Sequence, residues 1–312
     1  MSRIHEALKR AEQERTTIQG DAAQAEPAPV PQVGQRANGD VGPAASPQGV
    51  SATAMSVSAG LSGQEAMLSR CVQPQWNPDP ATMLFANGND GGRGTEEYRT
   101  LRSRLYHLRD KMTLKKLLVT SALPKEGKSF TAANLAQVMA RQHGKRVLLI
   151  DGDLRGPRLH LMLGTMAGPG LSDYLQGRND EFSIMQRAPL ESLFFIPSGG
   201  SIEDPSELIG NGRLKLLLQR LDPLFEWIVI DSPPAVLVSD ASVLATACDG
   251  VLMVVRSNST PADAAQKARQ EFPTGALVGV VLNGTPHDAA PYERYYYETY
   301  EKKGNRTNIQ GE

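Results

Sequence analysis

Three short stretches of this 312-residue chain carry the residue types that phosphate chemistry needs. The first, Ala122 to Ser129 (ALPKEGKS), follows an apolar run and opens a helix-forming stretch near Lys128. It matches the phosphate-loop pattern with alanine in place of the first glycine. A loop that ends in a helix N-terminus aims backbone N–H groups at one point, where the helix dipole also favours an anion. Gly127 lets the backbone come close, Lys128 brings a point charge to the β- and γ-phosphates, and the Ser129 hydroxyl is a magnesium ligand. Ala122, Lys125, Glu126 and Phe130 complete the candidate nucleotide cradle. A Gly-Lys-Ser triplet alone is weak evidence; the strand before it and the helix after it make it specific.

The other two stretches are acidic strand ends. VLLID closes on Asp151, with Asp153 and Arg155 just beyond, and WIVID closes on Asp231 before Pro233 and Pro234. In an open α/β sheet, ligands bind outside the carboxyl ends of the strands, so the loop and both acidic ends should meet at one site. One aspartate at a strand end is often a helix cap. Two, each closing an unbroken apolar strand beside a phosphate loop, read as metal-binding and acid–base groups.

These residues need a frame. From about Glu96 the chain alternates helical stretches with the apolar runs LKKLLVTSA, RVLLID, LFFIPSGG, WIVIDSPP, GVLMVVRS and LVGVVLNG. Helices are expected over Glu96–Arg109, Phe130–Arg141 and PSELIGNGRLKLLLQRL, then from Asp240 and after Pro261. Continuous Val/Ile/Leu runs mark parallel strands buried on both faces. The alternation predicts a doubly wound α/β domain with a mostly parallel sheet, over residues 85–290.

Upstream, residues 1–15 place Ile4, Leu8 and Ala11 at helical spacing, a short amphipathic helix that is marginal alone in water. Between Asp21 and Gly60 there is no leucine, isoleucine or aromatic residue, so residues 16–84 are expected to be a disordered Ala/Pro/Gly-rich linker. Cys71 and Trp76 in its later part have no evident role.

Composition excludes other classes. A formal net charge of −1 argues against a whole-protein grip on nucleic acid. Two cysteines make neither a disulfide framework nor a four-cysteine zinc site, and the five histidines lack metal-ligand spacing. With no apolar run of about 18 residues and no secretory signal, the expectation is a soluble cytoplasmic protein. Aromatic residues are 5% of the chain, yet five of its eight tyrosines lie between Tyr292 and Tyr300.

At ALPKEGKS, VLLIDGDLR and IVIDSPP the sequence resembles the bacterial tyrosine kinases (BY-kinases) of the CpsD/CapB type, which accompany exopolysaccharide synthesis and export. The likeness extends through Pro205–Leu208 and Asn283, covering roughly Glu96 to Glu301. It implies a deviant Walker A, ParA/MinD-like P-loop NTPase domain using ATP and Mg2+. By that resemblance Lys128 serves the phosphates, and Ser129, Asp151 and Asp231 are the metal group, Asp231 through water. Asp151 is the first choice to accept the tyrosine proton, Asp153 assists, and Asn283 meets the adenine edge. Glu96, Arg99 and Arg102, at three-residue spacing, resemble the family's interface motif for a homo-oligomeric ring; intrahelical pairing is the plainer reading. Lys125 departs from the family, which usually has glycine there.

Residues 291–312, a tyrosine-rich tail, resemble the family's autophosphorylation cluster, which implies Tyr292, Tyr295, Tyr296, Tyr297 and Tyr300 as acceptors in trans. Three consecutive tyrosines cannot share one helical face, and an untethered terminus suits a substrate. Each phosphate adds roughly −1.5 to −2 charge, a means of loosening a ring. The chain has no transmembrane activator segment, which implies a separate transmembrane polysaccharide co-polymerase as activator and a peripheral position at the inner face of the plasma membrane. Other protein tyrosine substrates are also implied. Two alternatives stay open. One is a ParA/MinD-type surface-switching ATPase, which would usually carry an extra lysine where Ala122-Leu123-Pro124 stands. The other is a scaffold that binds ATP without productive chemistry.

Overall fold

The computed structural model describes residues 63–85 and 94–285. The expected N-terminal helix, most of the expected linker and the tyrosine tail lie outside the described residues. After a short helix over residues 63–68 (α1), the chain runs α2 (Thr95–Arg109), β1 (Lys116–Ser121), α3 (Lys128–Ala140) and β2 (Val147–Asp151). Next come α4 (Leu159–Leu163), α5 (Leu171–Leu175), β3 (Gln186–Arg187), β4 (Leu193–Ile196), α6 (Pro205–Gly210) and α7 (Arg213–Leu221). β5 (Trp227–Asp231), α8 (Asp240–Ala245), β6 (Gly250–Arg256), α9 (Ala262–Gln270) and β7 (Leu277–Asn283) complete it.

Among the described residues the strands form one seven-stranded sheet, ordered β3-β4-β2-β5-β1-β6-β7. All pairs are parallel except β3 with β4. Strand alternation feeds two cores. Leu118, Leu148, Ile150, Ile228 and Ile230 pack on one face. Leu117, Val119, Val147, Leu149, Trp227 and Val229 pack on the other. That double burial is why the strands read as unbroken apolar runs. The predicted doubly wound, mostly parallel architecture is the one observed.

Three local expectations differ. Residues 63–84, expected in the linker, are part of the fold: Leu68, Cys71 and Met83 are buried, as is Phe85. Trp76 stands edge-on to Phe195 at 6.1 Å, and Val72 makes a parallel bridge to Gln186. Their apolar residues are scattered without helical or strand period, so composition alone grouped them with the polar stretch. The PSELIGNGRLKLLLQRL helix is two helices, α6 and α7, because Gly212 takes a left-handed φ of 82° between them. The short antiparallel edge strand β3 had too few residues to give a pattern.

Candidate phosphoryl-transfer site

Sheet register assembles the site. β5 lies between β2 and β1, with Asp151 beside Asp231 on β2 and β5, and Val119 of β1 opposite Asp231 on its other side. The phosphate loop, the Asp-x-Asp segment and Asp231 therefore leave three adjacent strand ends. Gly152 is required where β2 turns away: a Cβ there would fall 2.6 Å from the Asp231 carbonyl oxygen, which accepts the Gly152 amide at 2.9 Å.

The loop between β1 and α3 is braced from several sides. Glu126 is buried, and its carboxylate accepts the Leu123 amide at 2.8 Å and the Thr260 hydroxyl. Arg256 donates to the Lys125 carbonyl at 3.1 Å, and the Asn283 amide donates to the Glu126 carbonyl at 2.9 Å. Gly127 adopts φ 97°, and a Cβ on it would collide with the Asn283 side-chain nitrogen. Lys125 also sits in the left-handed region, at φ 65°. A glycine fits that conformation without the roughly 1–2 kcal/mol that a Cβ costs there. Ala122 is fully buried at the start of the loop, and Phe130 leans on Tyr98, ring centroids 6.2 Å apart.

Lys128 and Ser129 open α3. Lys128 Nζ donates to Asp153 Oδ2 at 2.7 Å and reaches Ser129 Oγ at 3.4 Å. Burial alone would lower the Lys128 pKa, but the charges of Asp231, Asp153 and Asp151 outweigh it and raise it, so the ammonium is fixed as a cation. Asp151 is fully buried and accepts the Asp153 amide at 3.3 Å and the Leu159 amide at 3.2 Å. Burial and the neighbouring Asp231 charge hold its carboxyl well above the usual carboxylate range. Burial pushes Asp231 up to about 6, against the pull of the Lys128 cation. Ser129 and Ser232 approach Asp231, yet both its carboxylate oxygens are buried without a well-formed hydrogen bond.

A buried carboxylate left without donors is costly unless another group meets it. Together with the Ser129 hydroxyl, it offers the hard oxygen donors that magnesium prefers. Among the described residues there is no cluster of three metal-ligating side chains. Magnesium sites on nucleotides commonly use one or two carboxylates and complete the shell with phosphate oxygens and water, so this donor set fits.

A cavity of about 690 Å³ opens over the loop, lined by Lys128, Ser129, Phe130, Asp153, Arg155, Arg158, Met162, Pro234 and Leu237 among others. Of the three aspartates, Asp153 lines it, while Asp151 and Asp231 lie beneath. Arg155, which the sequence placed next to the site without a role, forks onto the buried Asp240 with contacts of 2.8 and 3.1 Å. Ser206 of α6 donates to the same carboxylate. Asp240, Thr260 and Arg256 carried no local motif; each acts from an element distant in sequence.

The remaining expected residues are placed as follows. Asn283 stands beside the loop, and its amide is engaged with Glu126 and with the Gly284 amide at 2.9 Å, a bracing role its sequence position did not suggest. Glu96 and Arg99 pair within α2, and Arg102 donates to the Val138 carbonyl at the end of α3, 2.9 Å away. The five tail tyrosines lie outside the described residues. The three tyrosines of the folded domain are packed: Tyr98 and Tyr174 are buried, and the Tyr106 hydroxyl is enclosed where its ring meets Trp227.

Residues 118–294 match the family described as CobQ/CobB/MinD/ParA nucleotide binding domain. The chain is 35% identical over 192 residues to Tyrosine-protein kinase YwqD of Bacillus subtilis, covering 61% of this chain and 81% of that one. It is 32% identical over 222 residues to Tyrosine-protein kinase wzc of Salmonella typhimurium, covering 70% of this chain but 31% of that longer relative. The solved kinase domain of Escherichia coli tyrosine kinase ETK superposes with a TM-score of 0.60 at 30% identity, covering 65% of this chain and 80% of that domain.

Proposed function

The chain belongs to the bacterial tyrosine-protein kinases built on the CobQ/CobB/MinD/ParA nucleotide-binding domain, and from that premise we propose that it transfers the γ-phosphoryl group of ATP to tyrosines 292, 295, 296, 297 and 300 of a neighbouring copy. The observation that carries this reading is the meeting of Lys128, Ser129 and three buried aspartates at one cavity, Asp151 and Asp231 at adjacent strand ends beneath it and Asp153 lining it.

Phosphoryl transfer is positioning plus charge neutralisation. The braced loop presents its amides and the α3 N-terminus to the phosphates, and Lys128 adds its charge. Ser129, Asp231 and Asp151 would hold magnesium, which when bound would supply positive charge to neutralise the phosphates. Asp153 holds Lys128 in place; when phosphates take over the ammonium, its carboxylate becomes free to accept the acceptor hydroxyl's proton. Burial favours Asp153 over Asp151 for that contact, because Asp153 lines the cavity and Asp151 does not. Asp151 instead fixes the turn after β2 through the Asp153 and Leu159 amides. Asn283 supports the loop and stands within reach of a base bound beside it.

The three domain tyrosines are packed, so the tail supplies the acceptors. Regulation of exopolysaccharide synthesis or export follows as part of the same reading, together with a homo-oligomeric ring through Glu96, Arg99 and Arg102. Among the described residues no helix is long and apolar enough to cross a membrane; we assign the contact with the inner face of the plasma membrane to a separate transmembrane co-polymerase that activates the kinase. Kinase-named relatives above 30% identity disfavour the surface-switching ATPase. Incubating the full chain with ATP and magnesium, with and without its membrane activator, and mapping phosphotyrosine by mass spectrometry tests this. Label confined to the tail supports the reading; label on Tyr98, Tyr106 or Tyr174 instead would refute the assignment of acceptors.

A further inference from the structure

The cavity over the phosphate loop has two unlike walls. Its floor is ionic, but Met162, Pro234, Leu237 and Val238 form an apolar side, and Leu237 is left 59% exposed. An apolar wall beside a phosphoryl-transfer floor suits the flat ring of an acceptor rather than the phosphates. Four cations also line or edge this cavity, and two are already neutralised. Lys128 is paired with Asp153, and Arg155 is paired with Asp240. Arg158 and the Lys125 ammonium line the same cavity and have no acidic partner among the described residues. A concave site with an apolar wall and unneutralised cations takes an aromatic group that carries negative charge next to it.

The chain contains such a ligand. Tyr292 is followed by Glu293, Tyr297 by Glu298 and Tyr300 by Glu301, whereas Tyr295 and Tyr296 are each followed by tyrosine. We propose that this cavity selects tyrosines followed by an acidic residue, with Leu237 and Met162 against the ring and Arg158 as the specificity-determining cation that meets the carboxylate. The inference rests on the kinase reading and adds to it an order among acceptors: Tyr292, Tyr297 and Tyr300 are used before Tyr295 and Tyr296. Arg158 is the exposed N-cap residue of α4; its backbone carbonyl accepts the Met162 amide, but its side chain makes no hydrogen bond or ion pair among the described residues, so exchanging the side chain tests recognition rather than folding.

The probe is a synthetic peptide of residues 290–303 that keeps Tyr297 and carries phenylalanine at the other four tyrosines, with Glu298 intact or changed by Glu298→Gln or Glu298→Lys. The full chain phosphorylates it with ATP and magnesium. Glu298→Gln is expected to lower kcat/KM about fivefold, as for a partly exposed ion pair, and Glu298→Lys to lower it further. Arg158→Glu should invert the ranking, so that the lysine peptide becomes the best substrate, while the KM for ATP stays unchanged; Arg158→Gln should flatten it. A ranking unchanged by Arg158→Glu overturns the inference, and so does a raised KM for ATP, which would assign Arg158 to the nucleotide phosphates. Wild-type chain that turns over ATP but labels neither peptide nor tail removes the kinase reading itself, and this inference with it.

Discussion

At the scale of single residues, the site is a balance of buried charges that is favourable for binding and unfavourable for the empty fold. Asp231 is buried with Ser129 and Ser232 near it but no well-formed hydrogen bond, and its carboxyl is pushed up to about 6. A carboxyl whose folded pKa is raised destabilises the fold above that pKa, and the penalty vanishes below the unfolded value near 3.9. Asp231→Asn should therefore raise the stability of the nucleotide-free protein at pH 8, by on the order of 3 kcal/mol. The gain should fade between about pH 6 and pH 4; thermal melts across that range would follow it, and a pH-independent gain would show that the charge is not its source. The same substitution should remove kinase activity. Lys128→Met should lower tyrosine labelling by ~100-fold or more, as for loss of one preorganised charge at a developing anion. Asp153→Asn should lower kcat more than it raises the KM for ATP; the reverse split would return the proton-accepting role to Asp151. The chemistry was legible at this scale wherever it sits in consecutive residues: Lys128, Ser129, Asp151 and Asp231 all announce themselves by spacing. The difference between Asp151 and Asp153 was not, because which of the two faces the cavity depends on the turn after β2 and on amides donated from Leu159.

Elements set how tightly those residues are held. The phosphate loop is held by side chains from β6, the turn after it and β7, through Arg256, Thr260 and Asn283. Gly127→Ala combines a left-handed φ with a collision against Asn283, so it should weaken nucleotide binding while leaving the sheet intact. Equilibrium binding of a fluorescent ATP analogue would read the first, and circular dichroism the second. The segment over residues 63–85 is a second such element. It buries Leu68, Cys71, Met83 and Phe85, at about 1.5–3 kcal/mol for each large apolar side chain. A chain that starts at residue 94 should thus be less stable than one that starts at residue 63 by several kcal/mol, measured by denaturant unfolding. Equal midpoints would contradict the packing described. Sequence periodicity reports elements that bury a regular face, which is why α2, α3 and the central strands were legible. It is silent on a segment such as residues 71–85, whose apolar side chains drop singly into gaps between elements, and on a break made by one left-handed glycine at 212.

At the scale of the whole molecule, the fold explains an uneven use of tyrosine. The folded domain needs three, and all are packed; five of the eight stand in the last stretch of the chain. α2 carries Glu96, Arg99 and Arg102 at its first turns, and Arg102 is partly committed to the end of α3. Arg99→Ala with Arg102→Ala should reduce self-association if this face joins copies, and sedimentation velocity would register it; an unchanged profile leaves the face to intramolecular pairing. The most direct test of the central claim mixes two full-length chains with ATP and magnesium. One carries Lys128→Met and an intact tail, and the other is active but has phenylalanine at all five tail tyrosines. Phosphotyrosine on the tail of the Lys128→Met chain is the expected result. ATP turnover with no phosphotyrosine on either chain, in the presence of the activating membrane partner, would contradict it.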